Sequence, residues 1–197
     1  QPYIGLWNLS CLAQALLPLT EKEALKAGLE TYQSLFDREY QRLMRAKFGL
    51  VEAWAEDDEL IRDFMSLLQG SHVDYTIVFR ELSTFSTAED ATNDRLRGHF
   101  LNRDRFNEWA ARYQDRLRSE RSHDDDRRER MNRVNPKYVL RNYLAQTAIE
   151  KAQTKDFSEI ERLFTLLQEP FKDQPGMDAY ALPPPNWGKH LSVSCSS

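Results

Sequence analysis

Three groups of side chains in this sequence carry chemistry beyond what folding requires. Cys195 lies third from the C-terminus, where a thiol is accessible to oxidants and to partner proteins. Asp124, Asp125 and Asp126 present adjacent carboxylates of the kind that bind divalent cations. Residues 94–133 contain twelve arginines, a density that invites a phosphate or nucleic-acid hypothesis.

Charge patterning favours a structural interpretation of the last two groups. The acidic triplet precedes a run of arginines, the order expected at a helix N-terminus, where carboxylates meet the positive end of the helix dipole. Nine acidic residues are interleaved with the twelve arginines, so the local charges nearly cancel. We therefore predict a solvated, ion-paired helical face, and no nucleic-acid partner for a chain of net charge −4.

Motifs for nucleotide, metal or nucleophilic chemistry are absent from these 197 residues. There is no glycine-rich phosphate loop, no HRD or DFG element, no HExxH and no GxSxG. The two cysteines, Cys11 and Cys195, form no CxxC pair, which favours a reducing compartment. The sequence thus predicts no catalytic, cofactor-binding or metal-binding residue in this chain, and leaves Cys195 as the redox or disulfide candidate.

The first twenty residues are uncharged and apolar on two helical stripes. A helix of this kind is either buried or membrane-spanning, and Pro18 ends it well short of the ~20 residues that a bilayer requires. We predict a central core helix at residues 4–17, with Cys11 buried and no membrane partner. Its neighbours are expected in an upstream part of a longer protein; without them the helix would expose a stripe or pair with another copy.

The remaining pattern predicts an all-α fold of roughly seven to nine helices around one core. Capping boxes are predicted at Thr20 with Glu23 and at Ser158 with Glu161, and a cap at Asn102. Asn135 and Pro136 indicate the start of a further helix. Residues 1–170 form the helical region, and residues 171–197 form an extended Pro-rich tail in which Tyr180 and Trp187 are possible anchors.

Three stretches of the sequence are similar to the selenoprotein O family. Residues 130–144 (RMNRVNPKYVLRNYL) resemble its RMNxxNPKYxLRNYL segment. Residues 194–197 (SCSS) resemble the family's C-terminus, where some members carry selenocysteine at the position of Cys195. The opening QP with LWNL at 6–9 resembles the stretch that follows the family's activation segment.

The resemblance implies a protein-kinase-like parent that transfers AMP from ATP to Ser, Thr or Tyr hydroxyls of proteins, using Mg²⁺ or Mn²⁺. Its ATP and metal ligands would lie upstream of Gln1, so this chain would be the C-terminal part of the kinase-like C-lobe and inactive alone. Its partners would be the rest of the kinase-like domain and the protein substrates. The resemblance also implies that Cys195 pairs with a cysteine near the activation segment; Cys11 is the intramolecular alternative, disfavoured by its predicted burial.

Two other hypotheses remain open at this point. One is an autonomous helical interaction module without an enzymatic parent. The other is a thiol-redox protein acting through Cys195, against which the lack of a nearby resolving cysteine counts. The expected location is the bacterial cytoplasm, or the mitochondrion for a eukaryotic member.

Overall fold

The computed structural model describes residues 2–191, and these residues contain helices and no strand. The predicted all-α class is confirmed. The helices are α1 (Pro2–Leu16), α2 (Lys22–Glu30), α3 (Tyr32–Lys47), α4 (Asp57–Ser71), α5 (Tyr75–Leu82), α6 (Asp94–Arg97), α7 (Arg103–Ser119), α8 (Asp124–Val134), α9 (Asn142–Gln153) and α10 (Ser158–Gln168), followed by 3₁₀ turns at Asp178–Ala181 and Asn186–Gly188. None of these helices combines the length and the apolarity that crossing a membrane requires.

The chain divides into two compact units, and the boundary between Met44 and Arg45 falls within α3. In the first unit α1 packs against α2. The Tyr32 hydroxyl donates a hydrogen bond to the carbonyl oxygen of Pro2 at 3.0 Å. That hydroxyl also occupies the space that a Cβ on Gly5 would need, so a larger residue there would have to displace the end of the Tyr32 side chain.

Helix α1 buries none of its residues. Ile4 is 63% exposed and Trp7 66% exposed, and the Cys11 thiol is exposed as well. The prediction that this segment is a central core helix with a buried Cys11 is therefore wrong for this chain. The physical reason is that α1 is apolar on nearly every side, and α2 with the part of α3 in the same unit cannot surround it.

The core of the second unit is a cluster of aromatic rings. Phe48, Phe64 and Phe79 meet edge to face with ring centroids 5.3–5.7 Å apart, a favourable geometry for aromatic pairs. Trp109 and Tyr113 stack at 4.9 Å. The indole N–H of Trp109 donates to a carbonyl of α4 at 2.9 Å, and the Tyr113 hydroxyl to the Phe48 carbonyl at 2.6 Å. The buried N–H of Trp109 and O–H of Tyr113 thus both have hydrogen-bond partners, as buried polar groups usually do.

The turn after α3 determines how α8 can pack. Gly49 has φ of +69°, and a Cβ there would lie 2.8 Å from the Met131 sulfur, so glycine is required on both counts. Arg127 of α8 is fully buried beside this turn. Its guanidinium pairs with Asp124 at 3.0 Å and donates to the Phe85 carbonyl, which offsets the cost of burying its charge.

Two predicted helix starts are confirmed. The Asn102 side chain caps α7 by accepting from the Arg105 N–H at 3.0 Å. The acidic triplet at Asp124 lies in the first turn of α8, where the carboxylates meet the helix dipole. The interleaved arginines form ion pairs with neighbouring acids, such as Arg128 with Asp125 at 2.7 Å, as the charge pattern predicts.

Two predicted capping boxes are wrong. Helix α2 begins at Lys22, and Glu21, at its N-cap position, makes no capping side-chain bond. Ser158 lies inside α10, and its N–H is bound instead by the Asp156 carboxylate at 3.0 Å. In each case the N-cap is displaced by one residue, from Thr20 to Glu21 and from Ser158 to Phe157.

A buried ion-pair network centred on Arg116 connects α7 to α4. The guanidinium binds Asp57 at 2.7 Å and Glu120 at 2.9 Å, and donates to the Glu52 carbonyl at 2.8 Å. Its carbon lies 3.8 Å above the centre of the Trp54 ring. Burial acts to lower the pKa of Arg116, but the hydrogen bonds to the two carboxylates outweigh it and raise that pKa.

Replacing Arg116 by Met should destabilise the protein by about 3–5 kcal/mol, because it leaves the Asp57 and Glu120 carboxylates buried without a counter-ion. Arg112→Met is the matched control, since the half-exposed pair of Arg112 with Asp63 should contribute only about 0–1 kcal/mol. Urea unfolding followed by circular dichroism measures both. Equal losses in the two variants would contradict the network's role.

Candidate functional site: a clamp on the C-terminal tail

The segment 130–144 leaves α8, runs extended and enters α9. Asn135 is not the start of a helix as predicted but the residue that caps the C-terminus of α8, with φ of −105° and ψ of 103°. The backbone N–H groups of Lys137 and Tyr138 both donate to the Pro170 carbonyl, at 2.8 and 3.1 Å. These two N–H groups therefore bind a residue distant in sequence and are not available for the hydrogen bonds of a helix. Helix α9 begins only at Asn142.

Asn135 and Arg80 fix the first half of this segment. The buried Asn135 amide donates to the Lys47 carbonyl at 2.9 Å. One nitrogen of the Arg80 guanidinium, Nη1, donates to three carbonyls, those of Asn132 at 3.1 Å, Asn135 at 3.2 Å and Phe171 at 3.1 Å. Helix α5, the end of α8 and the beginning of the tail are thereby joined by one side chain.

Arg141 fixes the second half of the segment to the start of α5. Its guanidinium forms a two-pronged ion pair with Asp74, one contact of which measures 3.1 Å. Asp74 also caps α5 by accepting from the Ile77 N–H at 3.0 Å. Burial acts to raise the pKa of Asp74, but the bonds from Arg141 and Ile77 outweigh it and lower that pKa, so the carboxylate stays ionised.

Two residues of the segment hold the beginning of the tail. The Lys137 ammonium pairs with Asp173 at 2.9 Å and with Asp178 at 2.7 Å. Burial acts to lower the pKa of Lys137, but its bonds to these two carboxylates outweigh that and raise it. The hydroxyl oxygen of the buried Tyr138 accepts a bond from the Gln174 N–H at 3.3 Å.

Tyr180 anchors the middle of the tail, as predicted. Its hydroxyl donates to the Glu159 carboxylate at 2.6 Å, and its ring packs on Leu144, Ala148 and Leu163 of the small core between α9 and α10. Burial acts to raise the pKa of Glu159, yet the bonds from Tyr180 and a nearby lysine lower it overall. The anchor therefore combines apolar packing with a charge-assisted hydrogen bond.

The far end of the tail meets the start of α9. Trp187 packs edge to face on Tyr143 with centroids 6.1 Å apart, so the second predicted anchor is confirmed. Gly188 is buried so closely against Tyr143 that an added Cβ would lie 2.7 Å from the Tyr143 Cβ. The Asn142 amide donates to the Leu191 carbonyl at 2.9 Å. The contacts made by segment 130–144, with the Tyr180 anchor, form what we call the tail clamp.

Cys195 itself lies outside the described residues. The last hydrogen bond described along the tail, from the Asn142 amide to the Leu191 carbonyl, lies four positions before Cys195 in the sequence.

The first unit carries a second surface of interest, an apolar groove. Tyr32, Phe36 and Tyr40 follow one another along α3 at helical spacing, with successive ring centroids 5.9 and 6.2 Å apart. The groove encloses roughly 470 Å³, and its lining is almost entirely apolar. The other lining residues are Leu9, Gly28, Thr31, Leu35, Glu39 and Leu43. A surface of this composition suits an apolar helix of a partner or of another part of the same protein.

Neither surface is suited to ATP or a metal ion. Within residues 2–191, no three His, Cys, Asp or Glu side chains are grouped as a metal would need. The groove on α3 offers apolar rings where a triphosphate would require cations or backbone N–H groups. The clamp's cations are already paired with the chain's own carboxylates. The described residues thus offer two surface features, the clamped tail and the apolar groove.

Comparison with known proteins matches most of the chain to a single family. The family model of protein adenylyltransferase SelO matches residues 1–168. The protein nucleotidyltransferase YdiU of Myxococcus xanthus is 48% identical over 197 residues, and that of Herminiimonas arsenicoxydans 46% identical over 198 residues. Each alignment covers 100% of this chain and 40% of the relative. The chain thus spans about 40% of the length of the curated relatives it matches.

Gly188→Ala should open the far end of the clamp, because the new methyl group would overlap Tyr143 and the backbone must move away. We expect faster chymotryptic cleavage near Tyr180 and faster amide exchange between residues 180 and 191. Gly70→Ala is the control, since a Cβ there meets nothing within 4 Å and alanine favours the helix. Unchanged cleavage in the Gly188 variant would show that the contact is not needed.

The Lys137 ion pairs should make the tail acid-sensitive. The Lys137 bond lowers the pKa of Asp173 below its ordinary value of 3.8, against the opposing effect of partial burial. The pair therefore stabilises the attached tail fully above about pH 3.8 and is lost as the pH falls through the lowered pKa. In Lys137→Met, the Asp173 carboxyl ¹³C titration should move up toward 3.8. An unmoved midpoint would contradict the assignment.

Proposed function

Because the chain belongs to the protein adenylyltransferase SelO family, we propose that it forms the C-terminal helical part of a protein adenylyltransferase. The parent transfers AMP from ATP to Ser, Thr or Tyr hydroxyls of other proteins, with Mg²⁺ or Mn²⁺ bound to the nucleotide. The hydroxyl oxygen bonds to the α-phosphorus, the bond to pyrophosphate breaks, and the hydroxyl proton leaves. The ATP and metal sites belong to the part of the parent that this chain lacks, so this chain alone is inactive.

The observation that supports the proposal is the uncovered apolar surface of the first unit. An uncharged helix with no buried residue and an aromatic groove on α3 leave neighbouring apolar side chains exposed, which is typical of a surface that another element covers. In a protein of the relatives' length, another part of the chain would cover this surface. The relatives come from bacteria, and the bacterial cytoplasm is the location we propose.

A second part of the proposal concerns the tail. Cys195 would form a disulfide with a cysteine elsewhere in the parent, each thiol losing its hydrogen while a small-molecule disulfide is reduced to two thiols. The tail clamp supports this role, because it fixes Leu191 four residues before the thiol. The partner is not Cys11 in this proposal, since α1 would be covered in the parent.

The competing hypothesis of an autonomous interaction module has one observation in its favour. The second unit has an aromatic core of its own, built around Phe48, Phe64 and Trp109. The two hypotheses differ on what covers the first unit. The adenylyltransferase hypothesis requires another part of the same polypeptide, whereas the module requires a different protein.

Native alkylation of Cys11 tests the proposal. In the 197-residue chain the exposed Cys11 should react with iodoacetamide at the rate of a free thiol. In a full-length family member with the same α1, the covered thiol should react at least about tenfold more slowly. Such a rate corresponds to a Cys11 thiol that is accessible in about one molecule in ten or fewer. Equal rates in the two proteins would contradict the covering of α1.

The same two proteins test the activity and the disulfide. The full-length protein should transfer labelled AMP from [α-³²P]ATP to a protein substrate, and the 197-residue chain should transfer none. After oxidation with oxidised glutathione, peptide mapping of the full-length protein should find Cys195 joined to a cysteine other than Cys11. AMP transfer by the 197-residue chain alone, or a Cys11–Cys195 linkage, would refute the corresponding part.

A further inference from the structure

A cavity of about 330 Å³ lies between α6, α7 and the loop that precedes α6. Its apolar lining consists of Phe85 and Ala91 from the loop and of Phe106, Ala110 and Ala111 from α7. Charged and amide side chains complete the lining. A cavity of this size, with an apolar part and a few polar groups, is typical of a binding site for a small molecule.

The loop that forms one wall of this cavity is held in place by side chains. Asn93, in a left-handed conformation that asparagine tolerates, accepts from the Ser86 N–H at 2.8 Å and donates to the Ser86 carbonyl at 3.2 Å. The Thr87 N–H donates to Asp124 of α8 at 3.0 Å, and Gln114 of α7 donates to a further carbonyl of the loop at 2.8 Å. The wall is therefore fixed by the fold, which lowers the cost of ordering it around a ligand.

Arg97 of α6 lines the cavity and differs from the other shielded arginines of the second unit. The others, whose guanidinium groups donate hydrogen bonds to carbonyls or carboxylates, are Arg80, Arg116, Arg127 and Arg141. The side chain of Arg97 is 34% exposed, and it makes no hydrogen bond within residues 2–191. Its Nη1 lies 3.6 Å from a carboxylate oxygen of Asp94, beyond hydrogen-bond distance. The guanidinium thus has donors left for a ligand.

Asp94 places the opposite charge beside this guanidinium. One of its oxygens accepts from the Thr92 hydroxyl at 2.7 Å, and both residues line the cavity. A simple carboxylate bound to Arg97 would be repelled by Asp94, and a simple amine bound to Asp94 would be repelled by Arg97. A ligand that carries an ammonium and a carboxylate on one carbon atom avoids both repulsions, because each of its charges meets an opposite one.

We propose that this cavity binds a free apolar α-amino acid. The ligand's carboxylate accepts from Arg97, its ammonium donates to Asp94, and its side chain lies against the apolar lining from α7. Each terminus of a peptide carries only one of the two charges, so the free amino acid is the form that fits. All of these residues belong to the second unit, and the inference is independent of the adenylyltransferase proposal.

Amide NMR titrations of the folded 197-residue chain at neutral pH test the site with three probes that share a phenyl group. L-Phenylalanine carries both charges, hydrocinnamate only the carboxylate and phenethylamine only the ammonium. We expect L-phenylalanine to shift the amides of residues 91–97 and 106–114. It should bind at least about threefold more tightly than either analogue, because each analogue leaves one charge of the cavity without its partner.

Two charge variants distinguish direct contacts with the ligand from a merely structural role. Arg97→Gln should weaken binding of L-phenylalanine about tenfold, because charge-assisted hydrogen bonds are lost, and should tighten binding of phenethylamine. Asp94→Asn should weaken binding of L-phenylalanine about threefold and tighten binding of hydrocinnamate, because the repulsion of its carboxylate is removed. Arg103→Gln, at an exposed position outside the cavity lining, is the control and should change neither.

A third variant, Ala111→Leu, tests the cavity itself. The larger side chain would occupy space that the ligand's side chain needs, while both charges are retained. Position 111 is exposed and helical, and leucine is a good helix former, so the fold should be kept. Binding of all three probes should be lost. Ala27→Leu, at an exposed position of α2, is the matched control and should leave binding unchanged.

The comparison of the three probes on the unmodified chain decides the proposal even where a variant fails to fold. Equal affinities for the three probes would overturn it, as would amide shifts that lie outside the cavity. The absence of shifts at millimolar L-phenylalanine would overturn it as well. Among the folded variants, an unchanged preference between L-phenylalanine and hydrocinnamate in Asp94→Asn would contradict the assigned contact of the ammonium.

Discussion

The tail clamp depends on one guanidinium. Carbonyl groups at the C-terminal end of a helix have no partner within the helix, and leaving a buried one unpaired costs about 1–3 kcal/mol. Arg80 supplies donors to such carbonyls at the end of α8, through Asn132 and Asn135, and to the Phe171 carbonyl at the start of the tail. Burial lowers the pKa of Arg80, but a guanidinium starts so high that it remains charged at neutral pH.

Other contacts of the clamp build on that junction. Because Arg80 fixes where α8 ends, the next residues run extended, and their N–H groups meet the Pro170 carbonyl. Because those residues are extended, Lys137 and Arg141 can reach acids in two different parts of the fold, Asp173 and Asp74. The motif from residue 130 to residue 144 is therefore a set of joints between elements, with its charged side chains directed at the chain's own partners.

The first unit shows the opposite condition, in which the chain's own contacts are too few. Fully burying a side chain such as Ile4 or Leu12 contributes about 1.5–3 kcal/mol relative to leaving it exposed, and α1 gains almost none of this. The uncharged sequence at residues 1–20 thus indicates that the helix needs other elements to cover it. It does not indicate whether a given chain contains those elements.

Local chemistry in the sequence predicts the helices well and their connections poorly. Asn102 and Asp124 are correctly placed because their side chains act within the first helical turn. Asn135 is misplaced because a residue distant in sequence, Pro170, takes the neighbouring N–H groups. The partners of Lys137, Arg141 and Tyr180 are equally distant, so periodicity carries no trace of the clamp, although Tyr180 and Trp187 were recognisable as anchors from their place in a Pro-rich tail.

The four tryptophans lie in four separate environments, which has a spectroscopic consequence. Trp7 is on the uncovered α1, Trp54 lies beneath the Arg116 guanidinium, Trp109 is in the aromatic core, and Trp187 is on the tail. Intrinsic emission from the intact chain is thus a sum over two exposed indoles, one that lies against a guanidinium and one that is buried. Variants that retain one tryptophan each would report separately, by their fluorescence, on the surface of α1, the Arg116 network, the aromatic core and the tail.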